Sequence, residues 1–149
     1  MRYTGERSAA EDILHDSFLK IFDALGRFDF RGEAALYGWM RKVTVSCCVD
    51  QLRRNRLKTV SLEDGMEIRD EEDIGMEDVR GIPPETLMGM IKELPEGYRT
   101  VFNLFCLDGY SHREIASMLG IAEKSSSSQY ARARALLSKK IKRYLDERE

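Results

Sequence analysis

The sequence predicts an all-α fold: two small helical modules, 1–58 and 84–149, joined by an acidic flexible linker at 59–83. Three observations carry the prediction. Apolar residues recur at helical spacing in both halves of the chain. Only three prolines fall in 149 residues and runs of β-branched residues are few, so strands are hard to place. Between the halves, SLEDGMEIRDEEDIGMEDVRGIPP has few aliphatic residues, no aromatics and a strong acidic excess. Such a composition cannot bury enough apolar surface to order itself. As flexible coil its ends would sit roughly 25–30 Å apart, with an extended limit on the order of 90 Å.

The first predicted helix covers 10–25, where Ala10, Ile13, Leu14, Phe18, Ile21, Phe22 and Leu25 form one apolar stripe. Glu11 and Asp12 are expected in its first turn, where acids suit the helix dipole. Asp12, His15, Asp16 and Lys20 occupy another face, which by itself reads as solvated surface. The FDFRG segment at 28–32 breaks the period and reads as a loop whose aromatics are costly unless something covers or stacks on them. A second helix is predicted from 33 to about 57, with a stripe of Leu36, Met40, Val43 and Cys47 and with Trp39 beside it. Its end, DQLRRNRLK, is basic, and Arg41 and Lys42 add charge earlier. The dipole alone favours bases there. Combined with the aromatic loop and Trp39, however, the pattern suits single-stranded nucleic acid: aromatics stack on unpaired bases while cations follow the phosphates.

From 84 onward Leu87, Met90, Ile91 and Leu94 make one stripe, stopped by Pro95. Tyr98, Val101, Phe102, Phe105 and Cys106 make another, ending near Gly109. Ser111 and Glu114 then form a capping box, followed by Ile115, Ala116 and Leu119, with Gly120 placed to end the helix in the left-handed region. The last helix is apolar at Tyr130, Ala133, Leu137, Ile141 and Tyr144, and its other faces carry Arg132, Arg134, Lys139, Lys140, Lys142 and Arg143. A short capped helix, a glycine turn and a basic amphipathic helix make a helix-turn-helix pattern. The plainer alternative is a helical hairpin with a solvated basic face.

The totals narrow the classes. Residues are 34% charged and 42% hydrophobic, which suits a helix-rich soluble protein. A net charge of −2 excludes a uniformly basic nucleic-acid binder but leaves room for local basic patches. Cys47, Cys48 and Cys106 lack metal-ligand spacing and read as small buried hydrophobes in a reducing compartment. No apolar run would span a membrane and no signal peptide is evident, so a cytoplasmic protein is expected. His15 and His112 are the only histidines, and no clustered Ser, Cys or carboxylate constellation assembles a catalytic site. An enzyme is not expected.

Taken in order, AEDILHDSFLKIF, FRGEAALYGWMRKVTVSCCVDQLRR, LPEGYRTVF, YSHREIASMLGI and RARALL resemble the small alternative sigma factors of bacterial RNA polymerase, the extracytoplasmic-function (ECF) group of the sigma-70 family. The likeness covers about 3–145. It implies a region 2-like module and a helix-turn-helix region 4-like module, and a factor that directs core RNA polymerase to promoters through their −10 and −35 elements. The implied partners are the clamp helices of the largest polymerase subunit, the flap of the second largest, promoter DNA and an anti-sigma factor. No cofactor or metal is implied.

Carried over by position, Asp12, His15, Asp16 and Phe18 would bind polymerase. Phe28, Phe30 and Arg31 would form the loop that captures a flipped −10 base, repaying an unstacking cost of a few kcal/mol. Trp39, Arg41, Ser46, Arg53 and Arg54 would support the melted strand. Lys124, Ser125, Ser127, Ser128, Gln129, Arg132 and Arg134 would meet the −35 element, where a bidentate arginine–guanine pair discriminates by ~1–3 kcal/mol. The chain departs from the pattern in several places. The family usually has one or two further helices before the position of Met1, and without them the first helix would expose apolar surface. His15 stands where glutamine is usual, Ser46 where asparagine is usual, and Ser127 where a base often points into the groove. Ala122 replaces a serine cap, at a cost of about 1 kcal/mol. The serines at 125–128 read either as helix or as a flexible run. Two other functions compete: a stand-alone helix-turn-helix regulator binding DNA as a dimer, and a helical adaptor binding only proteins. The first leaves the N-terminal module without a purpose. The second does not explain positive charge without any acid at 124–143.

Overall fold

The computed structural model describes residues 2–58 and 79–148, and among them every regular element is helical. They divide between two compact units. The first holds α1 (Arg7–Leu25) and α2 (Glu33–Lys58). The second holds α3 (Pro84–Lys92), α4 (Glu96–Phe102), a π-helical segment (Asn103–Leu107), α5 (His112–Leu119) and α6 (Glu123–Asp146). Most of the expected acidic linker, 59–78, lies outside the described residues. Of its last residues, Ile82 is buried in the core of the second unit and Val79 packs against that core, so the packed chain starts ahead of α3.

In the first unit α1 begins three residues earlier than its apolar pattern suggested. Glu6 precedes it in extended conformation without a side-chain cap bond. Glu11 and Asp12 therefore stand beyond the first turn, and Glu11 accepts from the Arg7 guanidinium at 2.7 Å instead of facing free amides. Helix α1 packs along α2 and buries Ile13, Ser17 and Ile21. Ser17, with no exposure, donates to the Ile13 carbonyl at 2.6 Å, which satisfies a hydroxyl that would otherwise be costly to bury. On α2 the fully buried residues are Val45, Cys47, Cys48, Val49 and Leu52. The expected stripe holds at Cys47, but Leu36, Met40 and Val43 are only half-buried, because burial concentrates in the C-terminal half of the helix. Leu14, Phe18, Leu19, Phe22 and Leu25 are exposed on α1, and Phe18 stacks on Phe22.

The second unit is built around Met90, Ile91, Leu94, Tyr98, Ala133, Leu137 and Ile141. Val101, Leu104 and Ile115 have no exposed surface. Helix α6 crosses α4 and α5. At the α3–α4 corner Arg99 donates to the Lys92 carbonyl at 2.7 Å and to that of Leu94 at 3.4 Å. These carbonyls belong to a helix end that cannot satisfy them internally. Burial pushes the Arg99 guanidinium below the usual arginine range, with Glu96 acting the other way. The LPEGYRTVF segment is thus a structural corner as much as a sequence signature.

The helix expected to continue as α to Gly109 changes hand-hold after Phe102. The Asp108 amide donates to Asn103 O at 3.0 Å, a five-residue step, and Gly109 closes the turn at φ 76°. The wider turn keeps Asn103 and Leu104 inside and leaves Cys106 outside. Cys47 and Cys48 are buried as expected; Cys106 is exposed, contrary to expectation. No described helix is long and apolar enough to cross a membrane.

Candidate nucleic-acid interface

In the first unit the chain leaves α1 through a turn in which Arg27 and Phe28 donate their amides to Ala24 and Leu25. Gly32, at φ 104°, then turns it into α2. This geometry lays Phe28 against Trp39, with ring centroids 4.7 Å apart and planes inclined by 27°. The two rings line an open pocket of about 490 Å³ together with Ala24, Arg27, Asp29, Arg31 and Ala35. Arg31 donates to Asp29 across the rim at 2.8 Å. The pocket offers an aromatic wall for stacking, guanidinium donors for phosphate or base acceptors, and one carboxylate acceptor for an exocyclic amine. Its volume is in the range of small-ligand sites.

Of the expected −10 residues, Phe28, Arg31 and Trp39 come together here. Phe30 does not line the pocket; the residue is 63% exposed in the loop. Arg27 and Ala24 complete the wall, and sequence reasoning passed over both. Arg27 was legible as a base next to the aromatic loop. Further along α2, Ser46, Arg53 and Arg54 are exposed. At 3.6 residues per turn, Trp39, Lys42, Ser46 and Arg53 share one stripe of the helix, whereas Arg41 falls about 200° round from Trp39. Lys42 thus takes the place on the stripe that was expected of Arg41. Asp50 lies on the same side and faces Lys20 of α1 at 3.8 Å, a partial neutralisation at the edge of the stripe. On α1, Asp12, His15, Asp16 and Phe18 are all exposed, with Phe18 in the apolar stripe beside Leu14 and Phe22.

The second unit forms the expected helix-turn-helix. Ser111 Oγ accepts from the Glu114 amide at 3.2 Å, and Glu114 Oε2 accepts from the Ser111 amide at 2.8 Å, a complete capping box. Gly120 closes α5 at φ 66°, ψ 39°. Helix α6 then runs unbroken from Glu123 through all four serines, which removes the flexible-run alternative. Ala122 stands at its start without a cap bond, as expected. Each serine also forms helix less readily than alanine, by up to ~0.7 kcal/mol. The register separates them: Ser126 has no exposure, Ser125 and Ser127 are exposed, and Ser128 is half-buried. Ser127 turns its hydroxyl back to the Lys124 carbonyl at 3.0 Å.

Lys124, Ser128 and Arg132 lie on the side of α6 away from Ser126, Ala133 and Leu137, Lys139 and Lys142 extend that side, and Ser125 and Ser127 stand at its two borders. Gln129 and Arg134 flank it. Gln129 reaches back to α4, where a Cβ on Gly97 would meet its Oε1 at 3.2 Å. Arg134 carries its guanidinium 5.9 Å from the Tyr130 ring. The outward side is therefore basic along 124–143, a stretch of sequence with no acid, with Asp146 on the same side at the far end of the helix, and the basic part is a surface fit for a phosphate backbone. Two residues with no expected role also hold α6: Gly97, and His112, whose ring meets Ser126.

These two surfaces match two family models. The one described as Sigma-70 region 2 matches residues 1–58, and Sigma-70, region 4 matches 85–137. The ECF RNA polymerase sigma factor SigM of Mycobacterium tuberculosis is 33% identical over 134 residues, 87% of this chain and 63% of that protein. The chain thus spans less than two thirds of SigM. The ECF RNA polymerase sigma-E factor of Salmonella typhimurium is 30% identical over 142 residues, covering 87% of this chain and 72% of that protein. The RNA polymerase sigma-H factor of Pseudomonas aeruginosa is 27% identical over 161 residues, covering 99% and 80%. Among solved structures, the sigma factor RpoE of Bartonella quintana, crystallised with the anti-sigma factor NepR, shares the fold at a TM-score of 0.54 and 16% identity, over 95% of this chain and 86% of that one. The capping box, the aromatic pocket and these relatives agree: the chain belongs to the sigma-70 family, in its extracytoplasmic-function group.

Proposed function

We propose that this protein is a non-catalytic transcription initiation factor of the bacterial cytoplasm, which binds core RNA polymerase and directs it to promoters. The observation that carries this reading is the pocket between Phe28 and Trp39, bordered by Arg27 and Arg31 and continued by the Lys42, Ser46, Arg53 stripe. It suits one base turned out of a melted strand, with the neighbouring phosphates following the stripe. In the second unit Lys124, Ser128 and Arg132 would enter the major groove of the −35 element, with Ser125, Ser127, Gln129 and Arg134 at its edges. Asp12, His15, Asp16 and Phe18 would dock on the clamp helices of the largest polymerase subunit, and the second unit on the flap of the second largest. An anti-sigma factor is the expected regulator, by likeness to the sigma factor RpoE, which is held by NepR.

Transcription from a promoter library with purified core polymerase and this protein tests the proposal. Protein-dependent transcripts sharing two upstream elements are expected. Failure to bind core polymerase would refute it, and a footprint over a palindrome without polymerase would support the dimeric regulator instead.

A further inference from the structure

Helix α6 begins on an alanine that supplies no cap bond and continues through four serines, yet its first turns must hold still if its outward side is to read DNA. What holds them comes from the neighbouring elements. His112, the first residue of α5, places Nδ1 3.0 Å from Ser126 Oγ, and that hydroxyl has no exposure. The imidazole cannot easily turn away, because it lies nearly parallel to the Phe105 ring at 4.3 Å and 8°. Phe105 in turn meets Tyr130, one turn further along α6, at 4.5 Å. On the α4 side Gln129 lies over Gly97.

We propose that His112 is a positioning residue for DNA reading: its hydrogen bond to Ser126 fixes the start of α6 against α5 and so sets where Lys124 and Ser128 meet the groove. The inference rests on the reading of α6 as the −35 helix. A polar pair suits this place because a hydrogen bond is directional. It defines one rotation of α6, where an apolar pair of equal volume would tolerate several. Ser125, Ser127 and Ser128 cannot substitute, since the helical register turns each of them away from α5.

The test uses the full chain and two measurements: amide hydrogen exchange in the free protein, and affinity for duplex DNA bearing the −35 element selected by the holoenzyme. Ser126→Ala removes the hydroxyl without adding volume. His112→Phe keeps a ring on Phe105 and removes the nitrogen, and His112→Asn keeps a polar atom near the Nδ1 position without the ring. In Ser126→Ala and His112→Phe, exchange at 125–129 is expected to quicken and DNA affinity to fall, each by about three- to tenfold, the worth of one hydrogen bond. The double variant is expected to be no worse than either single one, since both remove the same bond. His112→Asn is expected to recover part of the loss. The slope of affinity against salt should not change, because the phosphate contacts remain. Wild-type exchange and affinity in both single variants, or full additivity in the double variant, would overturn the proposal. A wild-type protein that binds no such duplex would refute the −35 reading, and the exchange measurement then decides by itself whether the bond holds the helix.

Discussion

Helices α5 and α6 start from almost the same backbone geometry but only one is capped, which allows a paired experiment. Ser111 has φ −70°, ψ 158° and Ala122 has φ −71°, ψ 149°. A serine at 122 would therefore place its hydroxyl over the amide of Ser125, as Ser111 does over Glu114. Ala122 is exposed, so the new hydroxyl loses no hydration. The gain should be about 1 kcal/mol, the usual difference between serine and alanine at this position. It should stay at the lower side, because position 125 carries serine and not the glutamate that completes the reciprocal half of the box. For a unit of this size ~1 kcal/mol corresponds to a midpoint shift of ~4–8 °C. Thermal unfolding by circular dichroism measures it. The single tryptophan, Trp39, lies in the first unit and reports that unit by fluorescence. Ser111→Ala is the mirror control and should lose about 1–2 kcal/mol, since both halves of its box disappear. Adding Ser125→Glu to Ala122→Ser should stabilise α6 further while weakening DNA binding, because it sets a carboxylate beside the groove-facing side. If Ala122→Ser leaves the midpoint unchanged while Ser111→Ala costs more than about 1 kcal/mol, the start of α6 is governed by its neighbours alone and the capping argument fails there.

Gly120→Ala should cost ~1–2 kcal/mol, all of it from the left-handed backbone, because a Cβ there meets nothing within 4 Å; a neutral result in urea unfolding would contradict the assigned turn. Trp39→Ala should weaken single-stranded −10 DNA by ~1–3 kcal/mol, the worth of one stacked base, and leave duplex −35 affinity unchanged, as measured by anisotropy on the two probes. Lys140 holds the Glu93 carboxyl below its ordinary value of 4.5, first by a hydrogen bond and then by charge. A lowered carboxyl pKa contributes stability above the unfolded value and loses it as pH falls through the folded one. Wild type should therefore exceed Glu93→Gln slightly at neutral pH, and the gap should narrow as pH falls below 4.5 and through the lowered folded value. The ion pair is exposed, so the difference should also vanish in high salt; a gap that does not change with pH or salt would refute the assignment. Arg99→Met should keep the packing but orphan the carbonyls of Lys92 and Leu94, costing about 1.5–3 kcal/mol in denaturant unfolding, as for hydrogen bonds to a charged group.

What could be read directly from the residues is what local chemistry decides. Ser111 with Glu114 names a helix start because both bonds close within three residues. Gly120 names its end because a side chain there is strained whatever surrounds it. The span of α2 was legible as one long periodic segment, and the aromatic loop and Trp39 were legible as parts of one surface; that Phe28 stacks on Trp39 was decided by the turn at 26–32. Other features depended on packing. The π turn at 103–107 keeps both Asn103 and Leu104 inside, and no propensity encodes that. Cys106 is exposed through the same widened turn, although its type favours burial. Arg41 and Lys42 differ by one position in sequence and by 100° round the helix, so charge counting could not choose between them. The serines at 125–128 make the point most plainly. Four identical side chains follow one another, and only the fit of α6 against His112 and Phe105 buries Ser126 and leaves Lys124 and Ser128 outward. The sequence determined that a basic helix follows a glycine turn; the tertiary contacts decided which of its faces is free, because rotation about a helix axis is set by what packs against it.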